Sequence, residues 1–371
     1  HQHIEIYQIC GGAQRRFAMR YRRTMVPAME SNVNYVLGER IPEPASPIEI
    51  TPGILWIRMP MPMALDHINI YAVDDGDSWV LIDTGLGDPV SIGTWETLLT
   101  TSLGGRSISR IIGTHFHPDH VGLAGWLQNK TGADLWMTQL EWLSARQAYL
   151  DVEDASSEHM TRFYHQVGLG ADELRTYQEL GNDFRSMVTP IPATYTRITP
   201  ATRFTIGGRD WVPIFGSGHS PDHVTLYCAE DRIMLGGDML LPRITPIIAV
   251  WWQEPEGDPL AGYLEFLGTL GHIADDVLVL PAHNRPYREL RTRVTDLRDH
   301  HLERLEITHD ACATPATGRD VMKALFTREL DAFQTRFAIG ETVAHLNNLL
   351  HKGELTRDLD EAGRFRYART M

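Results

Sequence analysis

The chain has 371 residues, of which 43% are hydrophobic and 22% charged, so it can bury a large core and does not have the composition of a disordered polypeptide. Its net charge of −14, with histidine neutral, argues against a general polyanion binder, because nucleic-acid affinity depends largely on Lys and Arg. No apolar run reaches the length of about 18 residues that a membrane span needs, so we expect no such span.

The first half of the chain alternates short strands with helices. Residues 1–48, which include a basic segment at 15–23, are predicted to be an N-terminal leader or extension. Apolar runs predict strands at 54–58, 67–73, 79–82, 109–112 and 133–137, with a hairpin turn at 74–77. Helices are predicted at about 89–102 and from Pro118 to about residue 130.

A helical insertion is predicted at 138–189, where apolar residues recur at helical spacing. It is acidic, with nine Asp or Glu residues against four Arg. We expect this insertion to form a helical lid beside the active site. Its aromatic side chains are Trp142, Tyr149, Phe163, Tyr164 and Tyr177. Together they could form the wall of an apolar substrate pocket. For each residue taken singly, we favour a place in a hydrophobic core. A loop at 244–252 is the expected second wall, because Pro246 disfavours a regular central strand.

Strand patterns return after the insertion, at 203–206, 210–215, 223–228, 232–235 and 276–280. Helices are predicted at 258–273 and from Pro286 to about residue 311. Two halves that each combine strands with helices predict an α+β fold in which two sheets form the core and helices lie outside. The catalytic domain is therefore predicted to span 49–310.

The last residues, 311–371, are predicted to form a separate domain. A break at 314–318 precedes two helical segments, and short strands at 352–355 and 364–367 suggest a hairpin. Three helices with a hairpin resemble a winged helix. We expect this domain to provide a packing or dimerisation surface, so a homodimer is a further expectation.

Cysteine usage indicates a reducing compartment. Cys10, Cys228 and Cys312 are far apart and form no CxxC pair, so we expect neither a disulfide framework nor a Cys-based zinc knuckle. Cys228 lies in an apolar stretch and is typical of a small buried hydrophobe. We expect a cytoplasmic protein.

The segment at 114–120 concentrates metal-binding side chains at the end of a predicted strand. His115 and His117 alternate, so they project the same way from extended backbone. Asp119 and His120 come around the start of the next helix and can face a second metal ion. The count of 17 histidines in the chain makes such a site a natural first hypothesis.

Three further candidates each follow a predicted strand: His219, Asp238 and His283. Glycine lies close to His219 and Asp238 in the sequence, and it allows close backbone approach or positive φ. A single histidine after a strand is more often structural than a ligand. Together with the segment at 114–120, however, these residues complete two coordination spheres.

The sequence resembles the metallo-β-lactamase superfamily of di-metal hydrolases, including its glyoxalase-II-like members, over about residues 50–310. The resemblance is carried, in chain order, by Asp83-Thr84-Gly85, His115, His117, Asp119, His120, His219, Asp238 and His283. It implies an αββα sandwich, the metallo-β-lactamase fold, followed by the winged-helix-like C-terminal domain of one subgroup.

The resemblance also implies a ligand set. His115, His117 and His219 would hold one zinc ion, Asp119, His120 and His283 the other, and Asp238 would bridge both. Asp83 would orient a ligand histidine or shape its turn. We assign Asp119 and Asp238 as catalytic as well as metal-binding, and we identify no substrate-binding residue.

Imidazole and carboxylate ligands without cysteine suit Zn²⁺, and Mn²⁺ or Fe would also suit them. Two ions that share a bridging carboxylate can share a hydroxide and lower the pKa of the parent water, which makes a nucleophile near neutral pH. The sequence therefore predicts a dizinc hydrolase that attacks its substrate with a bridging hydroxide.

Other histidines receive structural interpretations. His223 is interpreted as structural. Asp222 stands where the family often has glycine, a departure that concerns the conformation of the loop rather than metal binding. For His67 we favour a packed or capping role. The pair His300 and His301 lies on a polar helix and is predicted to be solvated.

The bond that is cleaved depends on loops around the metals rather than on the metals themselves. Residues 49–285 hold 14 Lys or Arg against 30 Asp or Glu, a net charge of −16, which disfavours long polyanions. We therefore predict hydrolysis of a small acyl substrate, a thioester, lactone or other ester, with no nucleic-acid partner. The alternatives are β-lactam or phosphodiester (RNA) hydrolysis by the same site and, last, a metal-bearing regulator. True β-lactamases usually have Cys or Ser where this chain has Asp238.

Overall fold

In the first half of the molecule, strands are observed at the apolar runs from which strands were predicted. The computed structural model describes residues 33–63, 65–151, 157–180 and 183–370. One sheet is built from β2 Ile48–Thr51, β3 Ile54–Pro60, β4 His67–Asp75, β5 Ser78–Ile82, β6 Ser107–Ile112, β7 Asp134–Met137 and β8 Thr196–Arg197, in that spatial order. Neighbours from β2 to β5 pair antiparallel, and neighbours from β5 to β8 pair parallel.

The second sheet uses the later strands and one early strand. Its strands are β1 Asn34–Tyr35, β9 Phe204–Ile206, β10 Arg209–Gly216, β11 His223–Cys228, β12 Ile233–Gly237, β13 Leu278–Pro281 and β14 Tyr287–Arg288. Their spatial order is β1-β14-β13-β12-β11-β10-β9, and β12 with β13 is the parallel pair. The predicted extension thus contributes its residues 34–35 to this sheet.

The two sheets share a core because side chains alternate across each strand. On β5, Val80 and Ile82 pack with apolar residues of both sheets, whereas Trp79 and Leu81 face the helices outside. Cys228 belongs to the inter-sheet cluster and is fully buried, as the sequence predicted.

Helices cover both outer faces, which confirms the predicted α+β αββα sandwich. The helices of the first half are α1 Pro89–Thr100, α2 Pro118–Val121, α3 Ala124–Thr131, α4 Gln139–Leu150, α5 Ser157–Val167, α6 Ala171–Leu180 and α7 Phe184–Met187. Those of the second half are α8 Pro259–Thr269, with a 3₁₀ turn at Leu270–His272, α9 Leu290–Ala311, α10 Gly318–Leu325 and α11 Ala332–His351. A C-terminal hairpin joins β15 Leu355–Leu359 to β16 Phe365–Arg369.

Two predicted helices differ from those observed. The helix from Pro118 is interrupted after Val121, because the backbone N–H of Leu123 donates to Thr84 Oγ1 at 3.1 Å instead of extending the first turn. The helix predicted from Pro286 begins at Leu290, since Tyr287 and Arg288 pair as a strand first.

The insertion packs against the C-terminal helices. Phe163, Tyr164 and Tyr177 are buried in one cluster with Ile339 and Val343 of α11. They therefore belong to a core rather than to a pocket wall, which is the interpretation favoured from the sequence. The loop at 244–252 is irregular, as predicted. The backbone N–H of Val250, in this loop, donates to the Gly340 carbonyl of α11 at 3.0 Å.

The prediction that His301 is solvated is wrong. Its ring is buried between helices, with Nδ1 3.3 Å from His345 Nε2 and the ring edge-on to Tyr263. The polar pattern of α9 did not reveal this contact because α8 and α11, which cover that face, come from distant parts of the chain.

The predicted helices and hairpin of the C-terminal segment are present among the described residues. Residues 1–32, with Cys10 and the basic segment at 15–23, lie outside the described residues. None of the helices in the described ranges is long and apolar enough to cross a bilayer.

Candidate metal centre

Strand ends bring the predicted site residues to one edge of the sandwich. His115 lies three residues after β6, Asp238 directly follows β12, and His283 lies two residues after β13. His219 lies in the connection between β10 and β11. Residues separated by more than 160 positions therefore meet, although local sequence contains no information on that proximity.

Four of these residues form a first cluster: His115, His117, His219 and Asp238. His115 Nε2 lies 2.9 Å from His117 Nδ1 and 3.2 Å from His219 Nε2. His219 Nε2 lies 3.2 Å from Asp238 Oδ2. All four ligand atoms fall within 4.8 Å of one another, a spacing at which one cation can contact them all.

Asp119, His120 and His283 form a second cluster. Asp119 Oδ2 lies 3.4 Å from His283 Nε2 and 3.7 Å from His120 Nε2. Each of these residues thus directs one donor atom to a common point, beside the first cluster.

Asp238 lies between the two clusters. Its Oδ2 faces His219, while its Oδ1 lies 3.5 Å from His120 Nε2 and 3.4 Å from His283 Nε2. One carboxylate therefore offers one oxygen to each cluster, which is the arrangement of a bridging ligand.

The residues present fit metal ions. His120 Nε2 and Asp238 Oδ1 are buried without a hydrogen-bond partner in the described structure, which is costly unless something else contacts them. Imidazole nitrogens and carboxylate oxygens are ligands that Zn²⁺ accepts, and Mn²⁺ and Fe accept them as well.

Hydrogen bonds to the far ring nitrogens orient three of the histidines. The Nδ1 atoms of His120, His219 and His283 lie 2.8 Å from Asp83 Oδ2, 2.9 Å from the Ile247 carbonyl and 2.8 Å from the His67 carbonyl, respectively. When Nδ1 donates its proton, Nε2 is left as a lone-pair donor aimed at the cluster.

Asp83 also shapes the turn that carries it. Its φ of 65° is unusual for a residue other than glycine, and its carboxylate accepts from the Thr114 N–H at 2.8 Å. Thr84 Oγ1 donates to the His120 carbonyl at 2.7 Å. The Asp-Thr-Gly turn is thereby joined to both ends of the segment at 114–120.

His223 and His67 support ligands without joining a cluster. His223 is buried, and its Nε2 accepts from the Asp238 N–H at 3.3 Å. His67 Nε2 accepts from the Asn284 N–H at 2.8 Å, next to His283. Both contacts agree with the structural roles inferred from the sequence. Gly237 allows the first one, since a Cβ at its φ of 52° would lie 2.4 Å from His223 Nε2.

Sequence reasoning missed Glu141, which is buried in the first turn of α4. Its Oε2 accepts from the Phe116 N–H at 2.9 Å, and its Oε1 accepts from Ser220 Oγ at 2.7 Å and the Asp222 N–H at 2.6 Å. The available signal was an acidic residue four positions after β7, a strand that runs parallel to β6 and therefore ends at the same edge of the sheet as the site. Burial raises the pKa of Glu141 to about 7 despite these hydrogen bonds.

Electrostatics differ between the clusters. Burial lowers the pKa of His117 to about 3 and that of His115 well below its usual value, so both are neutral, as metal ligation requires. Burial would also lower the pKa of His120, but the carboxylates of Asp83, Asp119 and Asp238 outweigh it and raise that pKa. The second cluster therefore strongly favours positive charge.

Two family models match the chain. The one described as the metallo-beta-lactamase superfamily matches residues 64–302, which contain both clusters. The one described as metallo-beta-lactamase-like, C-terminal domain matches residues 305–370.

Curated relatives include a protein of similar length. The chain is 26% identical over 312 residues to the probable metallo-hydrolase YqjP of Bacillus subtilis (strain 168), which covers 81% of this chain and 92% of that protein. A shorter match, 35% identical over 78 residues, involves an atrochrysone carboxyl ACP thioesterase of Cryptosporiopsis sp. (strain 8999) and covers 20% of this chain and 23% of that enzyme.

Among solved structures, one relative has a higher sequence identity to this chain than the Bacillus subtilis protein has. A β-lactamase domain protein from Burkholderia ambifaria is 36% identical, with a TM-score of 0.85, over 91% of this chain and 98% of that one. A metallo-β-lactamase family protein from Thermus thermophilus is 26% identical, with a TM-score of 0.72, over 86% of this chain and all of that one.

Proposed function

The chain belongs to the metallo-β-lactamase superfamily and is a metallo-hydrolase of that group. From this premise we propose that it uses two metal ions, with Zn²⁺ as the preferred candidate, to cleave a small acyl substrate. The substrate is a thioester, a lactone or another ester. The observation that carries the two-metal proposal is the position of Asp238, whose two oxygens face different clusters.

In this proposal each cluster holds one ion, and Asp238 is shared. The ions, when bound, would supply an activated water near neutral pH and polarise the scissile carbonyl. The chain's own contribution is orientation. The hydrogen bonds to His120, His219 and His283 keep their Nε2 atoms aimed inward, and burial keeps His115 and His117 neutral.

Charge supports a small acyl substrate over a polyanion. Residues 49–285 carry 14 Lys or Arg against 30 Asp or Glu, and two divalent ions would offset only part of that excess. The short match to a thioesterase supports placing thioesters first among the candidates. The C-terminal helices serve intramolecular packing in this proposal, because α11 buries one part of its surface against the insertion and the loop at 244–252 and another part against α9.

A panel of four substrates tests the proposal: a thioester, a lactone, a chromogenic β-lactam and a bis-aryl phosphodiester. Protein of measured metal content should show its highest kcat/KM on the thioester or the lactone. Asp238→Asn should lose turnover and one metal equivalent, whereas Asp77→Asn, at an exposed turn, should match the parent. Preference for the phosphodiester or the β-lactam, or full activity with one metal, would refute the proposal.

A further inference from the structure

The carboxylate of Glu141 joins two loops that belong to the same cluster. Phe116, whose N–H it accepts at 2.9 Å, lies between His115 and His117. Ser220, whose hydroxyl it accepts at 2.7 Å, directly follows His219. One buried side chain therefore contacts both backbone segments that supply histidines to the first cluster.

A second contact from the same helix start strengthens this connection. Asp222 donates its N–H to Glu141 at 2.6 Å, and its carbonyl accepts from Thr138 Oγ1 at 2.9 Å. The loop after His219 is thus held at two adjacent points by the N-terminal turn of α4.

The second cluster has different supports. His120 is oriented by Asp83, and His283 by the His67 carbonyl, and neither bond involves α4. A change at Glu141 therefore removes contacts from the loops of one cluster while leaving the supports of the other intact.

We propose that Glu141 is a positioning residue for the first metal site, one that sets the separation between the His115–His117 segment and the His219 loop. This inference rests on the proposed two-metal function. A carboxylate is required because it offers enough acceptor lone pairs for three donors arriving from different directions. An apolar side chain of the same size would leave two backbone N–H groups and a hydroxyl unpaired in a buried place.

Glu141→Gln is the sharpest probe because it preserves shape. With its oxygen toward Ser220 and Asp222, the amide NH₂ must face the Phe116 N–H, so two donors oppose each other. The two sites can be studied separately in two background variants, the parents of the Glu141→Gln double variants. His283→Ala weakens the second cluster, and His117→Ala weakens the first. Metal-free protein of each parent, with and without Glu141→Gln, is titrated with Co²⁺, and both affinity and visible absorption are recorded.

The expected result is selective. Glu141→Gln should weaken Co²⁺ binding about 10- to 100-fold and alter the visible spectrum in the His283→Ala parent, but change affinity less than about threefold in the His117→Ala parent. Ser220→Ala, which removes one of the three donors, should act in the same direction with a smaller effect. Glu96→Gln, the same exchange at an exposed position of α1, should change neither affinity.

Other outcomes overturn the inference in distinguishable ways. An equal loss of affinity in both parents would show a general structural role, and no loss in either would show that the hydrogen bonds do not set the site. If neither parent bound Co²⁺ before Glu141 was changed, the proposed metal centre itself would be refuted. Should Glu141→Gln fail to fold, the Ser220→Ala titration decides between the same outcomes.

Discussion

Replacing Asp83 by Asn tests whether the second metal site depends on the orientation of His120. Asn has nearly the shape of Asp, and it also tolerates positive φ, so the turn at φ 65° should persist. The retained oxygen can still accept from the Thr114 N–H. The new NH₂ group, however, faces His120 Nδ1, which in the parent lies 2.8 Å from Asp83 Oδ2.

The magnitude follows from that single contact. Two opposed donors cannot bond, so the His120 proton shifts to Nε2, the atom aimed at the second cluster, or Nδ1–H keeps only its longer contact with Thr114 Oγ1 at 3.2 Å. A hydrogen bond to a charged partner contributes about 1.5–3 kcal/mol. A loss near 2 kcal/mol corresponds to about 30-fold weaker metal binding.

Calorimetric titration of metal-free protein with Zn²⁺ provides the measurement. We expect the parent to bind two equivalents, and Asp83→Asn to bind one with parental affinity and one about 30-fold more weakly. Asp77→Asn serves as the control. Two parental affinities in Asp83→Asn would refute the reasoning that this carboxylate selects the ligating tautomer of His120.

Three further predictions concern stability. Gly340→Ala should lower Tm, because the new Cβ would lie 2.8 Å from the Ala249 Cβ. Gly268→Ala, on an exposed helical face with no neighbouring atom within 4 Å, should instead raise the free energy of unfolding by about 1 kcal/mol. Equal Tm shifts in the two variants would contradict the close packing inferred at Gly340. Burial lowers the pKa of His345 to about 3, so it is neutral when folded and takes up a proton on unfolding below about pH 6.5. In metal-free protein it should therefore stabilise the fold above that pH and lose up to about 1.4 kcal/mol per pH unit as the pH falls towards 3; His345→Gln should flatten this slope in urea unfolding, and an unchanged slope would oppose the assignment. Chelation should lower Tm, and added Zn²⁺ should restore it, since ligand binding stabilises only the folded state; a Tm insensitive to chelator would contradict metal binding.

Strand order along the chain and the ligand types were readable from local pattern. Val80 and Ile82 alternate with Trp79 and Leu81, and such alternation reports which face of a strand is buried without knowledge of its partner. The segment at 114–120 was equally readable, because its histidines and aspartate are neighbours in sequence.

Helix boundaries were less accessible, because distant residues compete for the same backbone groups. Leu123 donates to Thr84 rather than to its own helix, and Tyr287 pairs with Tyr35, more than 250 positions away. His301 appeared solvated for the same reason: the helices that bury it are remote in sequence.

The sequence alone determined the sandwich class, the side chains that carry metal chemistry and the family resemblance, because these follow from short-range periodicity and residue identity. Tertiary structure decided which atoms meet. It placed the two oxygens of Asp238 toward different clusters, set the Nε2 atom of His120 inward through Asp83, and revealed Glu141 behind the first cluster. Hydrogen bonds between segments far apart in the chain have no local signature, so only the folded structure could show them.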